Sequence, residues 1–383
     1  DRMTANGNLT LAAGSGSSAV IDLGSDDDYI LVSAFGTQVA QSGDATIVTG
    51  LGDDTLFFSS ATFAAGAGGT ATVASGSGAD SFTLGGALGH DGQATLDSGS
   101  GSDSLTLDMT LGQAAGGGGT LLTGAGSDRV QGAMILGQGG QAVVDLGAGD
   151  DSFDLSGGGA AYGGDSGATL LAGDGNDRFT FGTGSYGFFG GFSLQGGSGA
   201  DVMQFSGGNL AIVSSATAEL LGGLGDDTMT FSGGVVGWDG KTSLFGGSGA
   251  DTMDFGGLAV VGFGVGGVTL GGDSGSDLLR FSGSDVAQNG AVTILGGQGD
   301  DRVLASAAAR VGRIAGVLLL AGSGADLLAL DAAQFAADGN GTFLGGSGAD
   351  TLVAASGSGI AAGAAAALLG EAGNGTLAGA GGR

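Results

Sequence analysis

Apolar side chains recur along the chain at fixed distances from an Asp that repeats about every 25 residues. An apolar residue stands seven positions before this Asp, as at Leu220 and Leu244, a second stands two positions after it, as at Met229, and a third stands four positions after it. Polar residues alternate with these positions, as Thr228 and Thr230 do around Met229. A period of two with one apolar face predicts short β-strands on both sides of the Asp.

The repeated Asp closes a turn of the form Gly-x-Gly-x-Asp, and its spacing alternates between 26 and 24 residues from Asp151 to Asp301. The fourteen copies are Asp28, Asp54, Asp80, Asp103, Asp128, Asp151, Asp177, Asp201, Asp227, Asp251, Asp277, Asp301, Asp326 and Asp350. The Gly two positions earlier and the Gly four positions earlier are each kept in thirteen copies, with Asp26 and Asp273 as the exceptions. Glycine at such positions indicates a positive φ in a tight turn, so each copy is predicted to form strand, turn and strand.

A unit of this size cannot bury its apolar face alone, so successive copies are expected to stack. The sequence therefore predicts an all-β fold, a right-handed parallel β-solenoid of about 15 coils, with a degenerate copy that carries Gly375 in place of the Asp. We expect one continuous solenoid over 1–383, with an irregular lead-in at 1–18 and a degenerate last coil at 355–383. Stacking is expected to bring five Phe into one column: Phe181, Phe205, Phe231, Phe255 and Phe281. Gly-rich stretches such as 232–241 are expected to close each coil, with a third short strand as one option.

The charge of the chain restricts its partners. It holds 38 Asp and Glu against 9 Lys and Arg, which gives a formal net charge of −29, and it has no Cys and no Pro. Nucleic acids and anionic membranes are bound through Lys and Arg, so neither is an expected partner. No apolar run is long enough to predict a membrane span, and Asp1-Arg2-Met3 does not begin a recognisable Sec signal peptide.

Stacked coils would place the fourteen aspartates in a line about 4.8 Å apart, where repulsion costs on the order of 1 to 4 kcal/mol per neighbouring pair. Without Cys, a hard cation with oxygen ligands is the remaining way to cross-link such a fold, and Ca²⁺ takes six to eight oxygens. Fourteen turns leave thirteen gaps, and thirteen Ca²⁺ would add 26 positive charges to −29. The alternative is that each Asp caps its turn through hydrogen bonds to nearby N–H groups.

The turn sequence resembles the hemolysin-type (RTX) calcium-binding repeats, whose nonapeptide is Gly-Gly-x-Gly-x-Asp-x-apolar-x. Residues 196–204 match every position, as do 222–230, 246–254, 296–304 and 345–353. The resemblance implies calcium held between consecutive turns by the Asp and by loop carbonyls, in secreted bacterial proteins such as surface layers, adhesins, toxins and enzyme appendages. The family runs two nonapeptides per coil and this chain has one, so the resemblance implies a single calcium edge.

Two further rows lie in the strand before the turn. Thr or Ser recurs eight positions before the Asp in ten copies, interrupted at Val143, Glu219 and Leu318, and such a row resembles the outward Thr of ice-binding solenoids. Six positions before the Asp a row of leucines recurs: Leu122, Leu171, Leu221, Leu295, Leu320 and Leu344. This row either faces outward as an apolar stripe that contacts a partner, or turns back into a corner of the core.

Catalysis finds little support, because His90 is the sole His and Asp pairs such as Asp53-Asp54 lie within the repeated turn. We expect a non-enzymatic, calcium-stabilised extracellular structural protein that builds a surface layer, sheath or filament. Its expected partner is itself, through lateral or end-to-end contacts, since 1–18 and 378–383 contain no capping helix, and cell-surface polysaccharide is a further candidate. The alternatives are a spacer within a larger secreted adhesin or enzyme, and an ice-binding solenoid.

Overall fold

A computed structural model gives the fold of residues 1–6, 9–33, 36–156, 167–257, 259–306, 309–312, 314–331, 334–335, 340–354, 366–370 and 376–379. The chain divides into two compact units, Asp1–Leu194 and Gln195–Arg383. Within the described ranges both units are built from β-strands and connecting turns. None of these residues belongs to a helix that could cross a membrane.

Each coil begins with a strand that leads into the Gly turn, and these strands form sheet 1. In the first unit they are Ser18–Asp22, Asp44–Leu51, Thr70–Ser77, Gln93–Asp97, Gly118–Leu122, Gln141–Asp145 and Gly167–Asp174. In the second unit they are Thr217–Leu224, Lys241–Ser248, Val268–Ser274, Val292–Gln298, Val317–Ser323, Gly341–Ser347 and Ala366–Gly370. One further strand of this kind, Gly191–Ser198, spans the division between the units.

The strand that follows the repeated Asp belongs to sheet 2. In the first unit its strands are Arg2–Ala5, Thr10–Leu11, Tyr29–Val32, Thr37–Val39, Thr55–Phe63, Ser81–Leu88, Ser104–Leu111, Arg129–Gln131, Ile135–Leu136, Ser152–Leu155 and Arg178–Phe181. In the second unit they are Val202–Phe205, Thr228–Ser232, Thr252–Gly256, Leu278–Phe281, Arg302–Ala305, Leu327–Leu330, Thr351–Ala354 and Thr376–Gly379.

A third strand of two residues closes many coils, as one reading of the Gly-rich stretches expected. The first unit holds Ser185–Tyr186. The second unit holds Asn209–Leu210, Val235–Val236, Val260–Val261, Asp285–Val286, Arg310–Val311 and Gln334–Phe335. These pairs stack in parallel within the second unit, for example Val236 on Val261.

Strands pair in parallel with the strand at the same position of the next coil, and repeat positions stay in register. Leu244 pairs with Leu220 on one side and with Leu270 on the other. The predicted all-β parallel solenoid with coils about 25 residues apart is therefore confirmed. The right hand of the solenoid and its continuity over 1–383 stay predictions.

The expectation of an irregular lead-in at 1–18 is wrong for its first residues. Arg2–Ala5 forms a strand that pairs with Tyr29–Val32. The physical reason is that Asp1 stands at the position of the repeated Asp, so that Met3 pairs with Ile30. Within the expected degenerate coil at 355–383, the described residues are Ala366–Gly370 and Thr376–Gly379, which pair with strands one coil earlier. The other residues of that range, Gly375 among them, lie outside the described residues.

The three apolar rows form the core, and the Phe column is their largest part. In the second unit Phe205, Phe231, Phe255 and Phe281 stack with ring centroids 5.0 to 5.1 Å apart and interplanar angles of 5 to 8°. This spacing is close to the distance between neighbouring strands, so each ring rests on the ring of the next coil. Phe181, in the first unit, packs edge-on against Tyr186 and Phe192.

The glycines four and two positions before the Asp have positive φ, as at Gly223 (122°) and Gly225 (120°). A Cβ at either position would overlap the carbonyl oxygen of the equivalent residue one coil earlier, so glycine also permits the close stacking of turns. The two exceptions keep the same conformation, because Asp26 has a φ of 91° and Asp273 a φ of 75°. Asp is among the side chains that tolerate this region, which explains why the pattern admits it.

Truncating one ring of the Phe column should damage the fold near its coil. Phe231→Ala should lower the free energy of unfolding by about 3 to 5 kcal/mol, because it leaves a cavity between two stacked rings. The matched control is Leu224→Ala, whose side chain is 60% exposed in the coil of Phe231. Hydrogen exchange should rise mainly in the coils of Phe205, Phe231 and Phe255. Equal loosening of all coils would contradict nearest-neighbour stacking.

Candidate functional site

The fourteen repeated aspartates, here called the inner aspartates, point into the solenoid interior. Thirteen of them, Asp28 to Asp326, have an exposed fraction of 1 to 3%, and Asp350 is half-buried. Each unit carries seven, from Asp28 to Asp177 in the first and from Asp201 to Asp350 in the second. Within each unit the structure therefore gathers the residues that the sequence predicted for the site.

Backbone hydrogen bonds hold the inner aspartates in register. The residue after each Asp donates its N–H to the carbonyl oxygen of the Asp one coil earlier, for example Thr252 to Asp227 at 2.8 Å. The Asp itself donates its N–H to Oδ1 of the Asp one coil later, as Asp227 does to Asp251 at 2.8 Å. The described bonds of this second kind span 2.7 to 3.2 Å. The carboxyls in these bonds thus cap the turn of the preceding coil rather than their own.

The second carboxyl oxygen has no such donor. Oδ2 is buried without a hydrogen-bond partner in eleven of the inner aspartates: Asp28, Asp54, Asp80, Asp103, Asp128, Asp151, Asp227, Asp251, Asp277, Asp301 and Asp326. A buried oxygen that carries charge and lacks a donor is costly, because it has lost its water and gained nothing in return. A proton, a nearby hydroxyl or a bound cation would remove that cost.

A second column lies on the outside of the turn, at the position directly before the inner aspartate. Its acidic members, here called the outer aspartates, are all exposed: Asp27, Asp53, Asp150, Asp226 and Asp300. Their Oδ1 atoms accept the N–H of the equivalent residue one coil later, as Asp226 accepts from Ala250 at 2.7 Å. Inner and outer side chains therefore reach in opposite directions along the stack. The Asp pairs can be recognised in the sequence, but their reciprocal bonding to neighbouring coils cannot.

Burial raises the pKa of many inner carboxyls. It raises the pKa of Asp151 and Asp227 to about 7, with the bond from the preceding Asp N–H acting in the opposite direction and neighbouring carboxyls adding to the rise. The pKa is raised to about 6 at Asp251, Asp277, Asp301 and Asp326, again mainly by burial. Near neutral pH these groups can exchange a proton for a cation at modest cost.

The donors present suit a hard cation. The inner carboxyl oxygens and the backbone carbonyls of the turn are oxygen ligands of the type that Ca²⁺ prefers. Among the described residues, however, no three acidic or His side chains converge on one point. A cation in this column would therefore take one or two inner carboxyl oxygens and complete its shell with backbone carbonyls of adjacent turns.

The strand before the turn presents an outward face of regular rows. Four Thr in the first unit, here called the threonine row, face outward in register: Thr46, Thr72, Thr95 and Thr120. Val143 follows them in the same row, and Thr169 follows Val143. The predicted outward Thr ladder is thus present as a single row in this unit.

The leucine row six positions before the Asp also faces outward, since Phe245 and Leu295 alternate with buried neighbours along their strands. In the second unit its members form what we call the apolar stripe: Leu221, Phe245, Gly271, Leu295, Leu320 and Leu344. The ring of Phe245 covers the outward face of Gly271. The alternative that these leucines turn into a core corner is wrong, because the strand continues through them.

The same row is interrupted by acids in the first unit. Leu122 lies between Asp97 and Asp145, and Leu171 follows Asp145. The contiguous apolar surface is therefore a property of the second unit within the described residues.

Comparisons with known proteins find structural similarity to a solved structure. The chain matches no family model, and the comparison with curated proteins finds no match. Among solved structures it is similar to the crystal structure of a hyperactive, Ca²⁺-dependent, β-helical antifreeze protein from an Antarctic bacterium, with 18% identity over 89% of this chain and 86% of that chain and a TM-score of 0.37. A TM-score this low carries no argument about function, and the resemblance to the RTX repeats stays a prediction.

The raised pKa values predict how stability depends on pH when no metal is present. Asp251 and Asp227 bind their protons up to about pH 6 and 7 in the folded chain but only to about pH 4 when unfolded. Unfolding then releases protons over this range, so the stability of the folded state is fully present below about pH 4 and falls as the pH rises to about 7. In EDTA, the unfolding temperature should therefore be higher at about pH 5 than at about pH 8.

The variant Asp251→Asn should reduce this fall, because the amide has no charge to bury and its oxygen can still accept the N–H of Asp227. The control is Asp226→Asn at an exposed outer aspartate, where the same loss of charge occurs in water. Circular dichroism melts at both pH values provide the measurement. A stability that rises with pH in EDTA would contradict the burial of ionisable carboxyls.

Proposed function

We propose that the protein is a calcium-stabilised extracellular structural protein, a self-assembling unit of a surface layer, sheath or filament. The observation that carries the proposal is the column of buried Oδ2 atoms without hydrogen-bond partners. Buried carboxylates that are ionised near neutral pH need a compensating positive charge. The chain has only 9 Lys and Arg against 38 Asp and Glu, so its own side chains supply little of that charge. Extracellular fluids hold calcium at the millimolar level that weak extracellular sites require, which favours an extracellular location.

A non-catalytic role fits the same geometry. Each inner carboxyl is committed to the backbone of the preceding coil, as Asp54 is to Asp28, and each paired outer carboxyl to the next coil, as Asp53 is to Ala79. A glycosidase needs two carboxyls free to face one substrate. In the Asp53-Asp54 pair, one carboxyl is exposed and the other is buried.

Calcium should be required for the full stability of the fold at neutral pH. Removing it with EDTA should lower the unfolding temperature and increase proteolysis, because ionised inner carboxyls would then be buried without compensation. Adding excess Ca²⁺ should restore both, and Mg²⁺ should restore less, since it keeps its water and demands octahedral geometry. Circular dichroism, limited proteolysis and sedimentation measure these changes. An unchanged melting curve in EDTA at about pH 8 would contradict calcium stabilisation, and capping of the turns would remain as the sole role of the aspartates.

Assembly is proposed to use the apolar stripe of the second unit. An outward row of Leu and Phe side chains favours contact with another apolar surface. A second copy of the chain suits the stripe better than a cell-surface polysaccharide, because Leu, Phe and Gly side chains offer no hydrogen bonds to sugar hydroxyls. Calcium should assist this contact by reducing the repulsion between two chains of −29 formal charge.

Placing charge on the stripe should separate the copies. The double variant Leu295→Lys and Leu320→Lys is expected to remain folded, because both side chains face outward, and to sediment as a monomer in millimolar calcium where the original chain assembles. The matched control carries Ala74→Lys and Leu122→Lys in the same row of the first unit, beside Asp97, and should still assemble. Analytical ultracentrifugation and electron microscopy provide the measurement.

If the original chain is monomeric in calcium, the assembly proposal is wrong and the spacer of a larger secreted protein becomes the better function. If both Lys variants assemble like the original chain, the contact lies elsewhere on the surface.

Ice binding is the second candidate, and the threonine row favours it. Thr46, Thr72, Thr95 and Thr120 face outward at a regular strand spacing. The neighbouring outward row contains Asp97 beside Thr95, which interrupts an otherwise uncharged surface. Thermal hysteresis that is abolished by Thr72→Lys and Thr95→Lys, and retained by Leu295→Lys and Leu320→Lys, would favour ice binding over assembly.

A further inference from the structure

The residue five positions before each inner aspartate differs between the coils. In four coils of the first unit it carries a fully buried hydroxyl: Thr49, Ser75, Ser98 and Thr123. In six coils of the second unit it is a glycine: Gly196, Gly222, Gly246, Gly272, Gly296 and Gly345. The remaining coils have an aliphatic residue there: Leu23, Leu146, Ala172 and Ala321. The fourteen turns therefore offer three different environments to an inner carboxyl.

In the hydroxyl coils the hydroxyl links two turns. Ser75 Oγ donates to the carbonyl oxygen of Ser98 at 2.7 Å, and Thr123 Oγ1 donates to the carbonyl oxygen of Leu146. Thr49 and Ser98 make the same bond to the next coil at 3.3 and 3.2 Å. The carbonyl oxygen at this position is thus already bonded to a neutral donor.

The same hydroxyls act on the carboxyl of their own coil. Burial raises the pKa of Asp80 and Asp103, and the nearby hydroxyls of Ser75 and Ser98 act in the opposite direction and lower it. A hydroxyl has one proton, so it serves the next carbonyl or its own carboxyl as the charge requires. In these coils a neutral hydroxyl can therefore donate to the carbonyl oxygen of the next coil or to the carboxyl oxygen of its own coil.

In the glycine coils no side-chain hydroxyl of the described residues lies beside the inner carboxyl and the backbone carbonyl of the next coil. A Cβ added to Gly222 would overlap both Asp227 Oδ2 and the carbonyl oxygen of Gly246. The same pair of oxygens, from the inner carboxyl and from the next coil, converges on Gly272 and Gly296. Two oxygens on one face of a glycine, one of them a buried carboxyl atom without a donor, form the start of a cation site.

We propose that the buried hydroxyls of Thr49, Ser75, Ser98 and Thr123 replace bound cations in their coils, and that calcium binds in the glycine coils of the second unit. This inference rests on the proposed function and adds to it which turns hold the metal. The hydroxyl fills the space beside the carboxyl and donates to the carbonyl oxygen that a cation would need as a ligand. Glycine leaves both that space and that carbonyl to the ion.

A matched pair of variants tests the division. Asp251→Asn removes one inner carboxylate in the coil of Gly246, and Asp103→Asn removes one in the coil of Ser98. Both keep an oxygen for the N–H of the preceding Asp, which is bonded at 2.8 Å in each case. Calcium stoichiometry measured by equilibrium dialysis should fall by at least one ion for Asp251→Asn and stay at the original value for Asp103→Asn.

Hydrogen exchange of the unaltered chain supplies an independent readout. On transfer from calcium to EDTA at neutral pH, the N–H of Asp227 should lose protection by about tenfold or more, because its acceptor Asp251 loses its cation. The N–H of Asp80, whose acceptor Asp103 lies in a hydroxyl coil, should change by less than about twofold. This comparison remains decisive if a variant fails to fold.

The outcomes separate this inference from the proposed function. A chain that binds no calcium overturns both. A chain that binds calcium but loses as many ions in Asp103→Asn as in Asp251→Asn overturns the division between coils and leaves calcium stabilisation intact. Ser98→Gly should convert a hydroxyl coil and add bound calcium, and failure to gain any in a folded variant would also overturn the division.

Discussion

The burial of one carboxyl group in each coil from Asp28 to Asp326 is the constraint on which the rest of this fold depends. Removing a carboxylate from water costs several kcal/mol, and the solenoid repeats that cost at every strand spacing. One oxygen of the pair is compensated by a backbone N–H of the preceding coil, as Asp251 Oδ1 is by Asp227. The other oxygen of Asp251 has no donor within the described residues and depends on a proton or a cation. In such a turn, which offers no hydroxyl beside the carboxyl, solution conditions decide the state of that oxygen.

The same constraint fixes the register of the coils. Inner aspartates bond to the coil before them and outer aspartates to the coil after them, so each turn is held from both sides, as Asp226 and Asp227 show. Glycines such as Gly225 let the carbonyl of the previous turn approach to a distance that a Cβ would block. A shift of one residue would place a side chain at that contact and would move the inner Asp away from the N–H that its carboxyl accepts. The glycines and the inner carboxyl of each turn therefore exclude register errors, in addition to the apolar rows.

Much of this arrangement follows from the sequence, because it repeats. The buried rows at Leu244, Met229 and Phe231 could be recognised by their fixed offset from the Asp, and the structure buries all three. Positive φ at the turn was predictable even where Asp273 replaces glycine, since Asp tolerates that conformation. Features that involve two coils at once could not be predicted from the residues of a single repeat. The capping of a neighbouring turn by each Asp is one such feature, since the alternative considered from sequence was a cap within the same turn.

Other features escaped prediction for local reasons. A strand of two residues such as Val235–Val236 is too short to show a period, so its pairing appears only in the stack. Leu320 could face either way until the length of its strand was known. The coil of Asp1 escaped because the pattern used to find the others consists of glycines that precede the Asp, and the column from Thr49 to Thr123 gains meaning only beside the inner carboxyls.

The two units differ both in the residues beside the inner carboxyls and in the outward row six positions before the Asp. The first unit combines buried hydroxyls with an outward row that Asp97 and Asp145 interrupt, whereas the second combines glycine corners with the apolar stripe. A coil that needed a cation at its turn would have less stable strands at neutral pH without that cation, because the turn joins the strands of sheets 1 and 2. Leu295 and Leu320 lie on strands that end at such turns. On the proposed function, the unit that would use its surface for contact is therefore the unit whose surface would depend on calcium, and assembly would follow the metal without any separate switch.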